Sequence, residues 1–249
     1  MVKPTLLLCA ILVGLPTFAV ADELEGDYLY KVTTVRAATG AFEQLLAWEK
    51  RMRASGYYDE AGLERPLLMR HSQGDQWDLL VITPMESWTA YHAVEATAKR
   101  NKAAAGHSAL IGEGQALFAF YEDHFAFGPP WSAIKTAYAD NGFYHIEMFM
   151  AAAGKADELL EQRRMENAYL AATGQVANMI FRRAAGSDVD VFTIGFHSSF
   201  EAFAAPAGVT DEEKDRAAKD AGFKGLADLS FYLRSLISGH RDTLATKVN

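Results

Sequence analysis

Much of this chain is written twice, and that constrains what it can fold into more than any other feature. Residues 28–46 read YLYKVTTVRAATGAFEQLL, and residues 142–160 read GFYHIEMFMAAAGKADELL. Superposing Gly40 on Gly154, an offset of 114, aligns Tyr30 with Tyr144, Val32 with Ile146, and Leu45 and Leu46 with Leu159 and Leu160. Residues 67–92 align with 179–204 at an offset of 112, with Gly74 on Gly186, Arg70 on Arg182, Asp78 on Asp190, Ile82 on Ile194, Ser87 on Ser199 and Trp88 on Phe200. The blocks keep their order and the offset drifts by two residues. Each half is therefore expected to build the same supersecondary unit.

The two halves share a local grammar. Alternation of Tyr28, Tyr30 and Val32, and of Tyr144, Ile146 and Met148, predicts a first strand. A glycine turn follows, then apolar residues at helical spacing: Phe42, Leu45, Leu46 and Met52 in the first half, Ala156, Leu159, Leu160 and Ala168 in the second. Hairpins are predicted around Gly74 and Gly186. A second helix is expected behind the N-cap candidates Ser87 and Ser199, and last strands over 121–127 and 241–248. The order β-α-β-β-α-β is that of the ferredoxin-like unit. The expected fold class is thus α+β, with two tandem ferredoxin-like units whose sheets face one another in an intrachain α/β barrel. The units are assigned to 22–128 and 142–249. Gly128, Pro129 and Pro130 open a linker over 129–141. The charged stretch 209–216 reads as a capped, solvated insertion found only in the second half.

The N-terminus carries Lys3, an apolar run from Leu6 to Val13, Gly14 and Pro16, then Ala19, Val20 and Ala21. That is the grammar of a secretory signal peptide over 1–21, and the run is too short to span a bilayer. Export to a periplasmic or extracellular space is expected, with no membrane span after cleavage. Cys9 is the only cysteine, so no disulfide can hold the fold and burial must do so. A net charge of −8, with basic residues scattered in pairs, argues against nucleic acid as a partner.

Six side chains stand out as candidate ligand contacts. A hairpin turning about Gly74 sets Arg70 opposite Asp78 and His71 opposite Trp77, with Arg182 and Asp190 as the counterpart of the first pair. A pair kept in both halves suits a structural ion pair, whereas His71 and Trp77 become Arg183 and Val189 and suit either a single site or a divergent turn. His145 and Glu147 lie two apart on a strand and share a face, as a surface pair or as an acid–base or ligand pair. His92 and Glu95 are three apart on a helix, but two groups do not make a metal site, and no metal is expected. No P-loop, dinucleotide fingerprint, HExxH, CxxC or nucleophile elbow occurs.

On its repeat and element order, the chain resembles the dimeric α/β-barrel superfamily, which includes antibiotic-biosynthesis monooxygenase-like, NIPSNAP-like and stress-responsive barrel proteins. The stretch from Glu64 through Met69, His71 and Gly74 to Asp78 resembles a family signature without known chemistry. The resemblance implies a monomer with an internal pseudo-dimer, or a dimer of such chains. It extends to the tandem chlorite dismutase-like haem proteins, but none of the second-half histidines His145, His197 and His240 matches an axial-ligand motif. The functional expectation is an exported small-molecule-binding protein, with or without catalysis, whose pocket lies in a sheet–helix unit or between the sheets. The alternatives are an envelope protein-interaction module and, last, a haem-dependent oxidoreductase.

Overall fold

The computed structural model describes residues 21–248. The expected leader over 1–21 lies outside them except for Ala21. Eight strands are present among these residues: β1 (Tyr28–Ala37), β2 (Leu67–Gln73), β3 (Leu79–Glu86), β4 (Phe118–Gly128), β5 (Phe143–Ala151), β6 (Met179–Ala185), β7 (Val191–His197) and β8 (Ile237–Lys247). They close into one antiparallel α+β barrel in the order β1-β3-β2-β8-β5-β7-β6-β4. The run β4-β1-β3-β2 comes from the N-terminal half and β8-β5-β7-β6 from the C-terminal half. Seams β2–β8 and β4–β6 join them.

Helices cover the outside of the barrel, so most strands are buried on both faces and lose strict polar alternation. Inward residues Tyr30, Val32, Leu80, Ile82, Tyr144, Ile146, Phe181, Phe192 and Ile194 form the main core, each at most 1 % exposed. Phe181 and Phe192 stack at 4.4 Å. The interior is filled by side chains, and a cavity of about 610 Å³ lies beside Leu67, Trp131 and Tyr138 at the edge of this core.

Ser87 and Ser199 cap the helices Trp88–Tyr91 and Phe200–Ala204, accepting from Ala90 N–H at 3.1 Å and Ala202 N–H at 3.3 Å. The segment expected to be a linker holds the helix Trp131–Asp140. Pro130 sits at its N-cap, where a missing N–H costs nothing. Its Ile134 is fully buried against the main core. The 209–216 stretch opens the helix Asp211–Asp220 with a Thr210–Glu213 capping box, as its charges suggest. Ala217 and Ala218 also pack against Tyr169 and Phe223, so this helix is docked on one face.

The hairpin register differs by one residue from the expectation. Arg70 pairs with Leu79, not Asp78, and no Arg70–Asp78 ion pair forms. Asp78 is drawn to β1 instead: its carboxylate accepts from Ala37 N–H at 2.8 Å and its N–H donates to Val35 O at 2.7 Å. Asp190 repeats this on β5, accepting from Ala151 N–H at 2.8 Å and donating to Phe149 O at 2.9 Å. The aspartates thus tie each hairpin to the neighbouring strand. Arg183, rather than Arg182, pairs with Asp190, at 2.6 Å. Gly74 is required at the first tip: a Cβ there would stand 1.9 Å from the Asp242 carbonyl.

Candidate functional site

Two clefts lie between the barrel's outer face and its helices, one in each half. The first, about 310 Å³, is walled by outward residues of β1, β3 and β4 and by the helices Phe42–Ala54, Tyr57–Ala61 and Val94–Gly106. Its lining is rich in rings, including Trp48, Tyr57, Tyr58, Tyr91 and Phe118. The Arg100 guanidinium lies 3.8 Å over the Tyr91 ring. On the strand side Asp123 accepts from Thr33 Oγ1 at 2.5 Å and pairs with Lys31 Nζ at 3.5 Å.

Glu49 lines this cleft at 7 % exposure. It falls on the buried stripe of its helix, with Leu45 four residues before and Met52 three after. Among the described residues no hydrogen bond or ion pair engages its carboxylate. Burial therefore dominates and raises its pKa to about 7, with the charge of Arg53 opposing only in part. The Arg53 guanidinium itself donates to Pro66 O at 2.5 Å. A carboxyl group held near neutrality in a ring-lined cleft can both accept and return a proton.

The second cleft, about 300 Å³, lies between β5, β7 and the helix Ala156–Ala172 with the loop that follows it, closed by residues between 202 and 208. His145 and Glu147 share the outward face of β5, as their spacing predicts. Asp242 on β8 is the cross-strand partner of Glu147, and His240 that of Phe149. His145 Nε2 lies 3.1 Å from Asp242 Oδ1, and His240 Nε2 lies 3.4 Å from Asp242 Oδ2 and 3.6 Å from Glu147 Oε1. Arg163, 2 % exposed, sits over the Phe149 ring at 4.5 Å, pairs with Glu166 and reaches Glu147 Oε2 at 3.6 Å.

The charges shift one another. Asp242 and then Glu147 raise His240 to about 9. Burial alone would lower His145, but the Asp242 contact and the nearby carboxylates outweigh it and raise it. Burial likewise works to raise Glu147, yet His240, Arg163 and His145 bring it down. Burial, followed by the charge of His145, lowers His197, whose ring packs 5.2 Å from Phe203. His145 and His240 are thus engaged with carboxylates, and only His197 of the three keeps a buried nitrogen without a partner.

The hairpin candidates lie apart from both clefts. His71 meets Trp77 edge-on at 5.6 Å, and Trp77 is 2 % exposed at one end of the core. The cavity beside Trp77 and His124 holds about 20 Å³, room for one water. Arg70 lies outward, 5.7 Å over the Phe42 ring. His92 stacks on Trp88, and Glu95 does not join it. Sequence reasoning missed Glu49, although a glutamate on an otherwise apolar stripe is a readable signal. It also missed Asp242 and His240 as partners of His145 and Glu147, because only the β5–β8 register brings them together.

In sequence, no family model and no curated protein matches the chain. In structure, the chain is similar to an anthrone oxidase-like protein at 13 % identity and a TM-score of 0.54, covering 91 % of this chain and 94 % of that one. It is similar to a protein of Fusobacterium nucleatum named as a monooxygenase at 10 % identity and 0.51, covering 90 % and 94 %. A chlorite dismutase variant from Candidatus Nitrospira defluvii aligns at 13 % identity and 0.48, covering 89 % and 91 %. The first two likenesses show that this chain shares its fold with those proteins.

Proposed function

We propose that this protein binds a flat, largely apolar small molecule in the first cleft and that Glu49 takes a proton from it. The observation that carries this reading is an unpaired carboxylate, nine-tenths buried, on the wall of a ring-lined cavity. Aromatic walls suit a planar ligand, and a weakly acidic C–H or O–H is what a base with a pKa of about 7 can engage. The proton moves to a Glu49 oxygen and its electron pair stays on the ligand, whose rings delocalise it. Arg100, beside Tyr91 on the same cleft, is placed to offset the new charge. A protein named as anthrone oxidase-like and one named as a monooxygenase share this barrel, which supports an enzyme.

The same reading takes the two halves as duplicated ferredoxin-like units of a NIPSNAP-like or monooxygenase-like chain, exported after removal of its leader. The strand orders β4-β1-β3-β2 and β8-β5-β7-β6 and the matching roles of Asp78 and Asp190 support the duplication. The test is titration with 1-naphthol, whose emission differs between its neutral and deprotonated forms. Saturable binding is expected, with an emission change centred near pH 7 that Glu49→Gln abolishes. Absence of saturable binding, or an identical pH profile in the variant, overturns the reading.

A further inference from the structure

We propose that His145, Glu147 and Asp242 bind a divalent first-row transition-metal cation on the outer face of β5 and β8. One donor atom from each of the three lies within 4.8 Å of the other two. The backbone sets this convergence: His145 and Glu147 are two apart on β5, and Asp242 stands directly across from Glu147 on β8. All three therefore leave the same face of adjacent strands in the sheet, where their positions are fixed by the ladder.

The spacings suit an ion as well as a proton. A four-coordinate ion with bonds of about 2.1 Å separates its donors by roughly 3.4 Å. His145 Nε2 and Asp242 Oδ1 are 3.1 Å apart, close to that edge. One imidazole with two carboxylates is a donor set for Zn²⁺, Mn²⁺ or Fe²⁺ rather than for a soft, thiolate-seeking ion. The site also has the surroundings such a centre needs. His240 Nε2, 3.4 Å from Asp242 Oδ2 and 3.6 Å from Glu147 Oε1, is placed to orient both carboxylates from behind, as outer partners of metal ligands do.

The charges around the cluster also favour a cation. Glu147, Asp242 and Glu166 bring three negative charges against the positive charges of Arg163 and a protonated His240. With His145 neutral as a ligand, the surroundings remain net negative. Two of the three ligands, His145 and Glu147, line the 300 Å³ cleft, as does His197 with its unpartnered Nδ1. An ion held by three protein ligands with an open side polarises whatever enters from that side. This site is on the opposite half from Glu49, so it stands or falls independently of the proposed aromatic ligand.

The experiment is equilibrium dialysis of the chelator-treated full chain against Zn²⁺, paired with Co²⁺ as a spectroscopic probe. One Zn²⁺ per chain is expected, with affinity reduced at least about tenfold in His145→Ala and in Asp242→Asn. His240→Ala is expected to weaken binding by about 10–100-fold as an outer partner. His92→Ala, at an exposed helix far from the cluster, is expected to change nothing. Co²⁺ should give visible d–d bands and shift the His145 ring protons of the unaltered chain, a readout that does not depend on any variant folding. No such shift at His145, or Zn²⁺ binding undiminished in both ligand variants, overturns the proposal.

Discussion

Replacing Glu49 by glutamine isolates the cost of holding a carboxylate inside the first cleft. In the unfolded chain the group titrates near its ordinary value of 4.5; in the folded chain burial moves it to about 7. Between those values the folded state binds more protons than the unfolded state, so stability falls as pH rises. The contribution is fully present below about pH 4.5, is lost progressively up to about pH 7, and is absent above it. A shift of this size corresponds to about 3 kcal/mol. The amide side chain of Glu49→Gln keeps the shape and cannot ionise, so the variant should match the parent near pH 4 and exceed it by about 3 kcal/mol near pH 8.5. For a chain of this length each kcal/mol moves the midpoint by about 2–4 °C, which makes the expected gain about 6–12 °C. Thermal melts of both proteins across this pH range, read as a difference curve, remove the shared contribution of every other carboxylate. Parallel curves with no pH-dependent gap would refute the assignment of a buried, unpaired Glu49.

Three further outcomes follow from the packing and the second cleft. Phe192→Ala empties space against Phe181 inside the barrel and should cost about 3–5 kcal/mol in urea unfolding. Arg163→Met leaves Glu147 and Glu166 without their buried cation, with an expected loss of about 3–5 kcal/mol that shrinks as the carboxylates are protonated at low pH. His240 has a folded pKa of about 9 against 6.5 unfolded, so its stabilising charge is complete below about pH 6.5 and gone above about pH 9. NMR titration of its ring in the presence of a chelator should give a midpoint well above neutrality, and thermal melts of His240→Gln should lose the corresponding slope.

The barrel was legible because alternation and helical spacing are local signals, and each half carries them in the same order. The capping serines at 87 and 199 were readable for the same reason. The hairpin register was not, because Asp78 and Asp190 are recruited by backbone groups of β1 and β5, about forty residues earlier in the chain. A two-strand view cannot see that third strand. His145 and Glu147 were visible as a spaced pair. Their partners Asp242 and His240 sit nearly a hundred residues away, and only sheet order puts β8 beside β5. Glu49 hid in plain view: one charged residue on an apolar stripe usually snorkels to solvent, and here neighbouring rings cover it.

The seam between β2 and β8 carries a consequence for how the chain reaches its native state. β8 ends at Lys247, and it pairs with β5 on one side and with β2, made about 170 residues earlier, on the other. The ring cannot be completed until synthesis has passed that last strand. Until then, bare strand borders are open to adhesion between nascent molecules. Chains stopped at residue 236 should accordingly self-associate instead of yielding a smaller folded monomer, and sedimentation would show it.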